Sequence, residues 1–263
     1  MQIEKQGHVI WTVGDWFKYA PPKRGREQWV PGRSAFECAA AWCGEQSEPA
    51  LPGELAQLLD SHSDTSGCII RTVTPEHQVR FDKLRGEPRN ADVVAVAEHS
   101  SGPIAINVEA KADEPFDRLV FDVLKVAVQK IASDQRTNAV TRIQALAASL
   151  LPKSIDGTLS LGSLRYQLLT GVAGALAYAQ EINAKRAVFL VHEFITDRTD
   201  EKKHRANAAD LDAFVARLSV GEVTVLAPLT LYGPFRVPGT PLFRTPPALY
   251  IGTASRNLRG HTA

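Results

Sequence analysis

Cysteine is scarce in this sequence: Cys38, Cys43 and Cys68 are the only three in 263 residues. An odd count without metal-finger spacing argues against a disulfide framework or a zinc site and predicts reduced thiols. No apolar run approaches the roughly 20 residues of a membrane span, and the start MQIEKQGHVIWTVGDWF lacks the basic, apolar and small-residue order of a signal peptide. The expectation is a cytoplasmic protein with no membrane partner. Excess charge of one sign is missing too: 30 Lys and Arg against 29 Asp and Glu leave a net +1. No global field draws in a polyanion, so any nucleic-acid contact must come from a local basic groove. There is no phosphate-cradling Gly-rich Lys-Ser/Thr loop, no dinucleotide fingerprint and no serine elbow, which argues against nucleotide-driven and acyl-transfer chemistry.

What is present is an ordinary globular balance, 44% hydrophobic and 22% charged, without internal repeat, low-complexity tract or linker. This predicts a single α/β domain over 1–263, with a mixed sheet flanked by helices. PGRSAFECAAAWCG reads as a helix with Ser34 as N-cap, Glu37 completing a capping box and Gly44 near the stop. PGELAQLLDSH is a second short helix, and GCIIRTVTPEHQVRF is β-branched enough for a strand or bent pair. ADVVAVAEH and PIAINVEAK, separated by Ser-Ser-Gly, read as a hairpin. Apolar spacing from Arg118 to Leu151 predicts two helices, a cap or insertion. SLRYQLLTGVAGALAYAQEINA is a long helix whose Gly171, Gly174 and alanines allow close approach to a sheet. RAVFLVHEF is a buried strand, ANAADLDAFVARLS a helix, and EVTVLAPLTLYG and ALYIGTA are strands, placing a helix and strands at 207–252. The segment WFKYAPPKRGREQWVPGR interleaves Lys18, Lys23, Arg24, Arg26 and Arg33 with aromatics. It suits phosphate contact with base stacking, or is a proline-rich loop with solvated charges.

The hairpin carries the chemistry. With the loop centred between Ser100 and Ser101, paired residues sum to 201, which sets Val93, Ala95 and Ala97 against Val108, Ile106 and Ile104 on one apolar face. On the other face Asp92 meets Glu109, and Lys111 stands two residues on. A one-residue slip would separate the two acids. Opposed carboxylates repel unless a cation or proton lies between them. A hard divalent ion, Mg²⁺ or Mn²⁺, answers that need with oxygen ligands, and a neighbouring lysine can orient or activate its water. Asp followed by Glu-x-Lys is thus a phosphodiester-hydrolysis constellation, or else a surface salt bridge. A second Glu-x-Lys, Glu201 and Lys203 in RTDEKKHR, reads as a solvated loop.

These residues, NADVV and INVEAK, resemble the PD-(D/E)XK or restriction-endonuclease-like superfamily, whose core runs helix, three strands, helix, strand. The resemblance covers about residues 50–195 with a helical insertion at 118–163. It implies Asp92 and Glu109 as metal ligands and Lys111 as catalytic lysine. Ala91 stands where the superfamily name has Pro. The acid supplied by the first helix is open among Glu37, Glu45 and Glu54, with Glu54 nearest the first strand; dipole stabilisation at a helix start is its other explanation. Gln167 resembles the glutamine some nuclease families carry after the lysine strand, or is a polar helix residue. EAKADEPF, LRYQLL and LVHEF also resemble a bacterial family of unknown function placed near that superfamily. Glu76 and His77 could approach the hairpin, His192 reads as a hydrogen-bonded core histidine, and Asp113 and Glu114 as loop-shaping acids. The resulting expectation is a Mg²⁺- or Mn²⁺-dependent nuclease with DNA, or RNA, as partner, and a homodimer as one allowed assembly. The alternative is a catalytically inactive binding or regulatory protein on the same fold.

Overall fold

The computed structural model describes residues 1–44, 48–153 and 161–260. Eight strands form one mixed sheet: β1 (Gln2–Lys5), β2 (His8–Val9), β3 (Ile69–Val79), β4 (Arg89–Glu98), β5 (Ile104–Lys111), β6 (Arg186–Ile195), β7 (Tyr232–Phe235) and β8 (Ala248–Asn257). Their order across the sheet is β2-β1-β3-β4-β5-β6-β8-β7. The consecutive strands β3, β4 and β5 are antiparallel neighbours, while β6 runs parallel to β5 and β8 parallel to β6.

Seven α-helices cover the two faces among the described residues. On one face, α1 (Val13–Tyr19), α2 (Ser34–Cys43) and α3 (Gly53–Asp60) bury Trp16, Trp42, Leu55 and Leu58 against Val93, Ala95, Ile106 and Val108. On the other, α4 (Val120–Ala132), α5 (Ala139–Leu150), α6 (Tyr166–Glu181) and α7 (Glu201–Leu218) bury Val120, Leu146, Leu168 and Phe214 with Val94, Ala105 and Phe189. Both faces of the central strands are therefore covered, which explains the nearly unbroken apolar reading of β5 and β6. The register pairs Val93 with Val108, Ala95 with Ile106 and Ala97 with Ile104, the expected sum of 201.

The long helix α6 crosses this sheet closely for a local reason. A Cβ on Gly171 would fall 2.8 Å from Phe189 Cε2, and one on Gly174 3.3 Å from Arg89 Cγ. At Gly171 only hydrogen lets the helix axis approach the strands, and at Gly174 a methyl would require Arg89 to shift by a few tenths of an ångström.

Several local expectations need correcting. The N-cap of α2 is Arg33, not Ser34, whose hydroxyl instead donates to Glu114. Glu37 still serves the helix start, accepting the Gly32 N–H at 2.6 Å. RTDEKKHR is not a loop: Asp200 accepts the Lys202 N–H and opens α7, so Glu201 and Lys203 ride exposed on its first turn. The stretch EVTVLAPLTLYG, residues 222–233, is loop over most of its length: β7 begins only at its last two residues and runs on to Phe235, and Pro228 lacks the N–H that a ladder needs. The N-terminal strands β1 and β2 and helix α1 lacked a clear signal; α1 is fixed by a capping box between Thr12 and Asp15.

Candidate active site

The charged end of β5 points to the face covered by α6, the same face as Ala105 and Asn107. Glu109 is 1% exposed and Lys111 4%, so neither charge is left to solvent and each needs partners within the fold. They supply one another: Lys111 Nζ lies 3.0 Å from Glu109 Oε1. Gln167, in the first turn of α6, closes a triangle. Its Nε2 donates to Glu109 Oε1 at 2.5 Å, while its Oε1 accepts from Lys111 Nζ at 3.1 Å. Lys111 Nζ also stands 5.2 Å above the Phe116 ring centroid. The remaining Glu109 oxygen, Oε2, accepts from Arg89, at the start of β4.

Asp92 enters from β4. Its Oδ2 accepts the Ala110 N–H at 2.8 Å, which ties it to the Glu109–Lys111 segment. Glu76 completes the acidic group from β3. Its backbone sits at φ 48°, a strained region for a non-glycine residue, where Lys5 Nζ holds its carbonyl at 2.7 Å and that of Pro75 at 3.0 Å. The Glu76 carboxylate accepts from Asn90 Nδ2.

The charges are unbalanced in an informative way. Burial, then the Glu109 and Glu76 carboxylates, push the Asp92 carboxyl well above the usual range. Burial raises Glu76 to about 7 despite the Asn90 hydrogen bond, with Glu109 adding to the rise. Burial also works against charged Glu109, but Lys111 and Arg89 outweigh it and hold that carboxylate low. For Lys111, burial favours the neutral amine, yet Glu109, Asp92 and Glu114 outweigh it and raise its pKa. Glu109 and Lys111 are thus ionised at neutral pH, and Asp92 and Glu76 share too little positive charge.

Other sequence candidates lie elsewhere. Glu54 is bound to His192 Nε2 at 2.6 Å and to Arg256 at 2.7 and 3.0 Å. His192 shares its face with Leu190 and Phe194, opposite that of Glu109, so Glu54 is no third acid of the Asp92 group. Glu37 is occupied at the start of α2, and Glu45 lies outside the described residues. Glu114 accepts from Ser34 and from Asp113 N–H, a loop-shaping role. Lys23, Arg24 and Arg26 are exposed. Lys23 pairs with Glu87 and lines two openings beside Asn90, of about 340 and 780 Å³, the smaller also lined by Arg89. Arg24 lines a smaller one with Ser34 and Glu114.

Arg89 and Asn90 escaped the sequence reading. The available signal was their place two and three residues before Asp92, at the edge of the strand expected to carry the acid.

Among the described residues, no group of three or more His, Cys, Asp or Glu side chains stands in a metal-holding arrangement. The donor chemistry nevertheless suits a hard divalent ion: two carboxylates, Asp92 and Glu109, with an acid excess at Asp92 that a cation would relieve. Arg89 holds Glu109 Oε2 and would have to release it.

Fold and site together define an α/β protein with a buried acid–lysine cluster at the end of a central strand. Residues 10–244 match the family described as Domain of unknown function (DUF6946), and the chain belongs to that family. No curated protein matches the chain, and no solved structure does. No helix among the described residues is long and apolar enough to cross a membrane.

Proposed function

We propose that the chain is a Mg²⁺- or Mn²⁺-dependent nuclease hydrolysing phosphodiester bonds in DNA, built on a PD-(D/E)XK, restriction-endonuclease-like core. The observation that carries this reading is the convergence of Glu109, Lys111 and Gln167 with Asp92 at one strand end. The element order supports it: helix α3, antiparallel β3, β4 and β5, helix α6, then β6 parallel to β5.

Asp92 and Glu109 would hold the metal. When bound, it would lower the pKa of a water and stabilise charge on the phosphoryl group. The chain's own contribution follows from the charges. Lys111 is held protonated by Glu109, so it acts as a hydrogen-bond donor and fixed positive charge toward a phosphoryl oxygen, not as a base. Gln167 fixes the rotamers of both Lys111 and Glu109. Lys5, Lys23, Arg80 and Arg142, around the two openings beside Asn90, offer phosphate contacts along an approach to the site.

The pairing of Arg89 with Glu109 favours a second reading, a non-catalytic binding protein in which the arginine permanently satisfies the carboxylate. Incubating supercoiled, linear and single-stranded DNA with Mg²⁺ or Mn²⁺ and the purified protein separates the two. The nuclease reading expects cleavage that Lys111→Ala abolishes and Arg89→Ala retains or raises. No cleavage of any substrate by the wild type or by Arg89→Ala leaves the binding protein; equal cleavage by wild type and Lys111→Ala points to a contaminant.

A further inference from the structure

Both oxygens of Glu109 are engaged. Oε1 is shared by Lys111 and Gln167, while Oε2 accepts from Arg89 Nη2. Arg89 Nη1 donates to the Asn90 carbonyl. A divalent ion held by Asp92 and Glu109 therefore competes with a guanidinium for Oε2, and the two cations repel each other at that oxygen. The Arg89 side chain is 14% exposed and that of Glu109 2%. Displacing the arginine without giving it a new partner would leave a largely desolvated charge unmatched. The ion binds well only when something else takes the arginine.

The opening of about 340 Å³ beside Asn90 identifies the new partner. Arg89 is in its wall, together with Lys23, Arg80 and Arg142. The acids of the same wall are already matched: Glu87 by Lys23, Asp82 by Arg142, and Asp117 by Arg118 at 3.8 Å. Arg80 is exposed, and its guanidinium donates to the Leu84 and Gly86 carbonyls at 3.2 Å each, with no carboxylate partner among the described residues. One opening thus has two arginines in its wall, one without an acid and one holding the acid that the ion needs. A backbone phosphate brings what both lack, a negative charge on oxygens that accept a guanidinium's forked hydrogen bonds.

We propose that Arg89 is an exchangeable latch: a DNA backbone phosphate entering this opening takes Arg89 from Glu109, with Arg80 as its second anchor, and so frees Oε2 for the divalent ion. Substrate and metal then bind cooperatively, each raising the affinity for the other by the same factor. The inference rests on the nuclease reading and adds its regulation: without DNA the site binds metal weakly, and hydrolysis awaits a strand in the opening.

Mn²⁺ titrations of the full chain, followed by electron paramagnetic resonance, test the latch. They are run without DNA, with a phosphorothioate duplex, whose linkages keep their charge and resist cleavage, and with a methylphosphonate duplex, whose linkages carry none. Asp92→Asn with each duplex measures the Mn²⁺ that DNA holds by itself. The charged duplex should tighten Mn²⁺ binding by the wild type at least ~10-fold, and the uncharged duplex should not. Arg89→Ala without DNA should already bind Mn²⁺ at least ~10-fold more tightly than the wild type, and the charged duplex should add less than ~3-fold to it. Arg80→Ala, a change at an exposed side chain, should reduce the gain that the charged duplex gives. No gain in the wild type, or the same gain with both duplexes, overturns the latch on the unaltered protein and leaves the nuclease reading standing. An equal gain in folded Arg89→Ala overturns it as well, because the field of the DNA would then act without the arginine. Absence of Mn²⁺ binding by wild type and Arg89→Ala under every condition removes the nuclease reading, and the latch with it.

Discussion

Glu54 and Glu109 are carboxylates on opposite faces of one sheet, each held by an arginine and a second nitrogen base, yet their surroundings differ. Glu54 has His192 and Arg256, and the largest influences on its charge are burial and these two bases. Burial works to raise its pKa, but hydrogen bonds from His192 and Arg256 outweigh it and bring the value to about 2. Glu109 shares Arg89 and Lys111 with Asp92 and Glu76, which are left with raised pKa values. A buried carboxylate whose charge is fully matched serves the fold. One in a group with surplus negative charge is built to receive something positive.

The sharpest way to break this comparison is to remove one charge from each group. Lys111→Ala should lower DNA cleavage at least ~100-fold, read from initial rates on supercoiled plasmid. Glu54→Gln should leave cleavage near wild type but lower stability by about 2 kcal/mol, read from urea unfolding. Breaking a buried pair costs more than that, and the partly exposed Arg256 reduces the loss. Equal loss of cleavage in the two variants would erase the distinction between the faces.

Gly171→Ala probes how α6 carries Gln167 to Glu109. The added methyl meets Phe189, so a loss of about 1–2 kcal/mol in urea unfolding is expected, with a fall in cleavage that Glu54→Gln does not show. In pH dependence the two groups have opposite signs. Glu54, lowered from 4.5 to about 2, stabilises fully above pH 4.5, and that contribution is lost as pH falls toward 2. Glu76, raised from 4.5 to about 7, binds a proton more tightly folded than unfolded, so its contribution declines as pH rises from 4.5 through about 7. Melting temperatures of Glu76→Gln should therefore lack the decline between pH 4.5 and 7 that wild type shows, and those of Glu54→Gln should lack its loss at acid pH.

Much of this geometry was written in local pattern. Alternating Val93, Ala95 and Ala97 against Ile104, Ile106 and Val108 fixed the hairpin register, and with it the shared face of Glu109 and Lys111. Gln167 could be placed because α6 follows β5 and its first turn must start near the strand's end. Arg89 was hidden because a guanidinium reaching from the strand start to Glu109 depends on the tertiary space left at Gly174. The role of Glu54 stayed open in the sequence because its partner Arg256 is some 200 residues distant, beyond any local spacing rule. Ser34 was read as a cap from its capping-box spacing to Glu37, while its hydroxyl answers to Glu114 across the fold.

The central claim is that the acid excess around Asp92 is there for a divalent cation held by Asp92 and Glu109. Binding of Mn²⁺ to the purified protein, followed by electron paramagnetic resonance, tests it directly beside Asp92→Asn and Glu54→Gln. The account predicts binding that Asp92→Asn removes and Glu54→Gln leaves intact. Absence of binding by the wild type, or binding indifferent to Asp92→Asn, would contradict it.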